Sequence, residues 1–82
     1  VGGDEFALLL PEADIETALA VAERIRASIA AENIGGFRPS ASFGAASFPL
    51  HGRTTPELLK IADEALYRAK QRGGDEIVTF AA

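Results

Sequence analysis

Apolar and polar residues divide this 82-residue chain into segments of two different periods. Phe6 to Leu10 is an unbroken apolar run of strand length, and Pro11, which cannot donate to a sheet ladder, ends it. A helix is expected next, running to about Glu32, with Asp14 as its N-cap and Glu16 placed to favour its first turn. Ala18, Val21, Ala22, Ile25 and Ile29 recur at intervals of three and four and predict its buried stripe. Glu23, Arg24, Arg26 and Glu32 lie largely off that stripe, and Gly35-Gly36 closes the unit. Ser40 to Phe48 reads as a second strand, in which Gly44 marks a bulge or the close approach of another group. Pro49 to Thr54 reads as a loop. Thr55 then reads as an N-cap, with Pro56 at the first position of a second helix. Leu58, Leu59, Ala62, Leu66 and Ala69 form its predicted stripe, Gly73-Gly74 ends it, and Glu76 to Phe80 supplies a last strand. The order strand, helix, strand, helix, strand predicts an α/β sandwich with helices packed on a sheet, and leaves the strand directions open.

Length and composition narrow the function classes. Eighty-two residues allow one small domain. A chain of this size buries only about 60% of its unfolded surface, so its stability margin is thin. With 48% hydrophobic and 24% charged residues the chain is globular rather than disordered. A net charge of −4 argues against a nucleic-acid polymer or an anionic membrane surface as partner, but not against a nucleotide, which needs only a few local cations. There is no cysteine, hence no disulfide framework or thiolate metal site. No apolar run approaches about 18 residues, and the first residues lack the basic start and long apolar stretch of a signal peptide. The expectation is a cytoplasmic segment without direct membrane contact, which leaves room for a membrane anchor elsewhere in a longer parent protein.

The candidate chemistry begins at Val1-Gly2-Gly3-Asp4-Glu5-Phe6. Two glycines permit a tight turn and leave no side chain between backbone and ligand. Asp4 and Glu5 supply hard oxygen ligands suited to Mg²⁺. Acids beside glycine are also ordinary turn residues, so the hexapeptide alone decides little. Lys70, near the end of the second helix, suits a phosphate as a point charge, or merely complements the helix C-terminus. Arg24 is a bidentate phosphate ligand by chemistry, but reads first as part of a solvated helix face beside Glu23. Asp63 and Tyr67 share a helix face and read as structural. His51 reads as a solvated loop residue, and Ser42 has no histidine at a spacing that would support a nucleophile.

Gly2-Gly3-Asp4-Glu5-Phe6 resembles the signature of the GGDEF domains, the diguanylate cyclases that join two GTP molecules into cyclic di-GMP. Three further blocks follow in the family's order. Ala22-Glu23-Arg24-Ile25-Arg26 is similar to the helix after the signature. Ser40 to Ala46 is similar to the strand ending in Ser-Ile-Gly, and Leu58 to Lys70 is very close to the last helix. The resemblance spans nearly all of residues 1–82 and corresponds to the C-terminal half of such a domain. It implies a mostly antiparallel sheet like the palm of nucleotidyl cyclases and polymerases. It also implies a homodimer with one GTP per subunit and Mg²⁺ or Mn²⁺ as cofactor. Asp4 and Glu5 would serve the metal, with Asp4 near the attacking 3′-hydroxyl. Gly2 and Gly3 would allow close approach of the nucleotide, and Lys70 would hold its phosphates. Arg24 corresponds to an arginine that in some members joins a secondary contact with cyclic di-GMP.

Two departures bear on this. In the family a metal-binding aspartate, the residues that read guanine and an inhibitory Arg-x-x-Asp motif all precede the signature. None of these is in the chain, so the 82 residues alone are expected to be inactive. Where the family has Gly-Arg-Asn after the last helix, this chain has Gly73-Gly74-Asp75, so Gly74 replaces an arginine that aids phosphate binding, and Arg72 is expected to point elsewhere. Three readings follow: part of a cyclase domain, a degenerate module binding GTP or cyclic di-GMP without turnover, or a structural fragment that self-associates through an uncovered apolar face.

Overall fold

The computed structural model describes residues 4–11 and 15–80, which form a three-stranded sheet and two helices. In chain order these are β1 (Asp4–Pro11), α1 (Ile15–Ala30), β2 (Ala41–Phe48), α2 (Thr55–Gln71) and β3 (Ile77–Thr79). The strand–helix alternation expected from the two periodicities is therefore present. The mostly antiparallel, palm-like sheet is not. β1 pairs parallel with β2, from Asp4 opposite Ala41 to Pro11 opposite Phe48, and β2 pairs parallel with β3. The sheet order is β1-β2-β3. The physical reason is the connectivity: a helix between successive strands returns the chain to the end where the previous strand began, and neighbours then run the same way.

Side-chain alternation along the strands fixes which helix covers which face. Ala41 and Phe43 of β2 pack against Ala22 of α1, with Leu8, Ile29 and Ile77 around them. Phe6 of β1 stacks on Phe43 on this same face, with ring centroids 4.9 Å apart. The alternate residues look the other way. Ala46 packs against Leu58 and Ala62 of α2, and Val78 of β3 against Ala65 and Ala69. The helices thus lie on opposite faces. With the strands in sequential order, the two parallel crossovers have opposite hands, and one is of the uncommon left-handed kind.

Gly44 sets how closely α2 approaches. A Cβ built there would lie 2.0 Å from the Ala62 carbonyl oxygen and 2.4 Å from the Leu66 nitrogen. Of the two roles foreseen for this glycine, the close approach is the one observed. Small residues on the facing side of the helix, Ala62, Ala65 and Ala69, are fully buried and extend the contact.

Other expectations shift in detail. The N-cap of α2 is Thr54 rather than Thr55, because a complete capping box forms there. The Thr54 hydroxyl accepts from the Glu57 amide, and Glu57 Oε1 accepts from the amides of Thr54 and Arg53. The stripe of α1 is only partly covered: Ala22 is buried, whereas Val21 and Ile25 are 47% and 48% exposed. On α2, Leu59 is exposed and Ala65 takes a place in the contact instead. His51 is not solvated. Its Nδ1 accepts from the Ser47 amide at 2.8 Å, so the ring hydrogen is on Nε2, which donates to the Phe80 carbonyl at 3.0 Å. It ties the end of β2 to the segment after β3. The expected Asp14 cap and the Gly2-Gly3 turn lie outside the described residues.

Two outcomes are expected. Gly44→Ala forces α2 off the sheet and costs about 3 kcal/mol or more, read as a lower urea midpoint or loss of a cooperative transition. Glu57, held below its ordinary value of 4.5 by the hydrogen bonds from Arg53 and Thr54, contributes stability that is present above its unfolded value and is lost as pH falls through its folded value. Glu57→Gln should therefore flatten the acid limb of the melting temperature measured between pH 5 and pH 2.

Candidate functional site

The acidic pair opens β1, an edge strand whose first residue is tied down by the Asp4 amide donating to the Ser40 carbonyl at 2.9 Å. Because they are consecutive strand residues, Asp4 and Glu5 project to opposite faces. Asp4 shares the face of its pairing partner Ala41, which α1 covers. Glu5 shares the face of Ser42 and Gly44, on which α2 lies. There it meets Lys70: Nζ is 3.0 Å from Glu5 Oε2, and both side chains are about half exposed. The structure thus brings Glu5 and Lys70 together and sends Asp4 to the opposite face.

The pocket at this ion pair is lined by Glu5, Asp63, Leu66, Tyr67 and Lys70. Residues 63, 66, 67 and 70 follow one face of α2, and Gly44 sets that helix close enough for its last turns to reach β1. Asp63 and Tyr67, which the sequence reading left as structural, therefore belong to the pocket. Their spacing from Lys70 was the available signal, but it identifies a shared face and not what that face looks upon.

Arg24 stands apart. It is on α1, in a shallow groove with Val21, Ile25 and Ser28, and does not share the Glu5–Lys70 pocket. Arg26 has a more defined role than its neighbour. It grips both Glu23 carboxylate oxygens and reaches Asp75 Oδ1 at 2.9 Å, with its side chain only 19% exposed. The hydrogen bonds it donates to Glu23 and Asp75 raise its pKa well above the ordinary arginine range, and Arg26 holds the Glu23 carboxyl below its own. This arginine fastens α1 to the turn before β3, a link between residues 49 apart that no local pattern signals.

That turn explains why glycine stands at 74. Gly73, Gly74 and Asp75 all have positive φ, at 106°, 76° and 56°. A Cβ at Gly74 would lie 3.1 Å from the Ser42 hydroxyl, which already accepts from the Asp75 amide. An arginine there would be strained. Arg72 makes a local pair with Glu76 at 3.3 Å and does not turn to the pocket.

As a metal site the arrangement is incomplete. Among the described residues no three Asp, Glu, His or Cys side chains are grouped closely enough to hold an ion. The Asp4 and Glu5 carboxylates leave opposite faces and do not fit a shared ion over either of them. What the pocket does offer is one ammonium, Lys70, and two carboxylates, Glu5 and Asp63, open to solvent, so an anionic ligand there must draw Lys70 from its pair with Glu5.

The chain matches the family model described as "Diguanylate cyclase, GGDEF domain" over residues 1–76. It is 44% identical over 78 residues to "Diguanylate cyclase DgcM" of Escherichia coli K12, covering 94% of this chain and 19% of that protein. It is 42% identical over 86 residues to "Diguanylate cyclase DosC" of the same strain, covering 99% of this chain and 18% of that protein. "Uncharacterized protein YhcK" of Bacillus subtilis is 37% identical over 82 residues, covering 94% and 23%. The chain spans about a fifth of the length of these relatives. No solved structure matches it. Among the described residues no helix is long and apolar enough to cross a membrane.

An exposed ion pair contributes little to stability. Lys70→Ala is accordingly expected to change unfolding free energy by less than about 1 kcal/mol in urea titration. A larger loss would make the pair a structural strut.

Proposed function

The chain belongs to the GGDEF family of diguanylate cyclase domains, and on that premise we propose that it is the C-terminal part of a domain condensing two GTP into cyclic di-GMP with release of two pyrophosphates. The observation that carries the proposal beyond family membership is the convergence of Glu5 and Lys70 on one open pocket. Lys70 binds the phosphates of the nucleotide, releasing Glu5 from its pair. Glu5 then faces the phosphate-bearing side of the pocket, and Asp4, at the start of the edge strand, serves the attacking 3′-hydroxyl from the other face. Gly2 and Gly3 keep side chains away from the approaching nucleotide. The described carboxylates do not by themselves form a site for the family's divalent cation, Mg²⁺ or Mn²⁺, which would neutralise charge on the transferring phosphoryl group where it is bound. Each GTP is held by one subunit of a homodimer, so that each 3′-hydroxyl attacks the α-phosphate of the other. Cyclic di-GMP then acts as a signal, with Arg24, on its separate groove, as a secondary contact for it.

A second reading, binding without turnover, draws its support from Gly74. The positive φ of the 73–75 turn excludes a simple return to arginine and leaves Lys70 as the one described cation in the pocket.

The test uses the protein that carries this segment. With GTP and Mg²⁺ it should yield cyclic di-GMP and pyrophosphate, detected by chromatography. Lys70→Ala should raise the GTP concentration needed by roughly 10- to 150-fold, the loss of one charge-assisted contact worth about 1.5–3 kcal/mol. Glu5→Gln should abolish product while leaving GTP bound. Nucleotide binding without product in the unmodified protein would favour the second reading. The 82 residues by themselves should give no product, since Glu5 and Asp63 at the pocket are not joined by a third ligand close enough to make a cation site.

A further inference from the structure

Lys70 stands on the last turn of α2, and backbone bonds close that turn. The Gly74 amide donates to the Ala69 carbonyl at 2.8 Å and the Gly73 amide to the Lys70 carbonyl at 3.1 Å, the paired bonds of a Schellman cap. The cap continues into a turn in which three successive residues, Gly73, Gly74 and Asp75, hold positive φ. Two glycines hold such a shape weakly, because many other backbone states are open to them. Asp75, at φ 56°, is in a region that residues with a Cβ rarely adopt. A turn of this kind persists where its surroundings fix it.

Two anchors fix it, and both act on Asp75. The Asp75 amide donates to the Ser42 hydroxyl at 3.0 Å, and Ser42 is the strand residue that pairs with Glu5. The Asp75 carboxylate accepts from Arg26 Nη1 at 2.9 Å, and its carbonyl accepts from the same nitrogen at 3.4 Å. Glu23 holds the guanidinium from its other side, 2.9 Å from Nε and 2.6 Å from Nη2, so the planar fork is oriented where it meets Asp75. Arg26 belongs to α1, which covers the face of the sheet opposite to α2. The link therefore passes from one face of the sheet to the other by way of the turn before β3.

We infer that Arg26 is a positioning residue of the Glu5–Lys70 pocket. By holding Asp75 it keeps the cap of α2 closed, and the closed cap keeps the last turn helical with the Lys70 ammonium over Glu5. The inference rests on the reading of that pocket as the phosphate site. Arg26 touches no ligand in this account and acts through Lys70. The body of α2 does not depend on the tie, because Ala62, Ala65 and Ala69 pack it against the sheet and Gly44 admits it there. Loss of the tie should therefore open the end of the helix and leave the fold.

The test measures binding of guanosine 5′-(α,β-methylene)triphosphate, an analogue that cannot be condensed, with Mg²⁺ to the protein that carries this segment. Arg26→Ala should weaken it about 2- to 30-fold, the range for substitutions that act on a site without touching its ligand. In a protein already carrying Lys70→Ala, the same substitution should cost less than about twofold, because the group through which it acts is gone. A tie that was merely structural would cost the same in both backgrounds. Asp75→Asn tolerates the positive φ and gives up the charge that Arg26 grips. It should act in the same direction with the same dependence on Lys70, and it reads the tie should Arg26→Ala fail to fold. Hydrogen exchange at the Gly73 and Gly74 amides should quicken in both variants, while exchange at Ala62 and Ala65 stays as it was. Losses that add in full to that of Lys70→Ala, unchanged binding in both tie variants, or unchanged exchange at Gly73 and Gly74 would overturn the inference while the phosphate pocket stands. Unchanged binding in Lys70→Ala alone would overturn the pocket and the inference together.

Discussion

The contact of Gly44 with the backbone of α2 is the constraint on which the rest of the arrangement depends. A side chain at that point would occupy the position of the Ala62 carbonyl. Its absence lets the helix lie flat on the middle strand, and the alanines at 62, 65 and 69 keep it there along its length. The last turns of α2 are then carried across to the edge strand. Lys70 reaches Glu5, and the face bearing Asp63 and Tyr67 becomes one wall of a pocket. The chemistry at this place is a consequence of close backbone packing some distance away from it.

The same packing divides the acidic pair. A strand must send neighbouring side chains to opposite faces, and each face of this sheet has its own helix. Asp4 goes with α1 and Glu5 with α2. Adjacent carboxylates in a sequence suggest a shared ion, but adjacency along a strand is the one spacing that prevents their convergence over a sheet face. The residue that joins Glu5 instead is an acid on a helix, Asp63, distant in sequence and near in space.

How much of this was legible in the sequence depended on the range of the interaction. The periods of α1 and α2 and the end of β1 at Pro11 follow from local steric rules, and the residues declare them; Gly44 was legible as a special position, with the choice between a bulge and a close approach made by α2. The parallel pairing does not, because strand direction depends on which strands become neighbours across the connecting helices, and no single segment carries that information. The cap moved by one residue because the Thr54 hydroxyl and the Glu57 carboxylate close a reciprocal pair that Thr55 does not close. His51 was misread and the tie made by Arg26 was not foreseen for another reason: each is fixed by a partner far along the chain, the Phe80 carbonyl and Asp75. Of the site, Lys70 and Glu5 were found through family resemblance and then brought together by the fold. Tyr67 and Asp63 were visible as a helix face whose outlook only the packing defines.

The central claim is that α2 lies on the Glu5 face of the sheet, with Lys70 over Glu5 and away from Asp4. Paired cysteines test it most directly. Glu5→Cys with Lys70→Cys, and Asp4→Cys with Lys70→Cys, would be treated with a short bis-maleimide and followed by mass spectrometry. The account predicts rapid intramolecular cross-linking in the first pair and much slower reaction in the second, which the sheet separates. Equal rates, or a faster reaction from position 4, would contradict it.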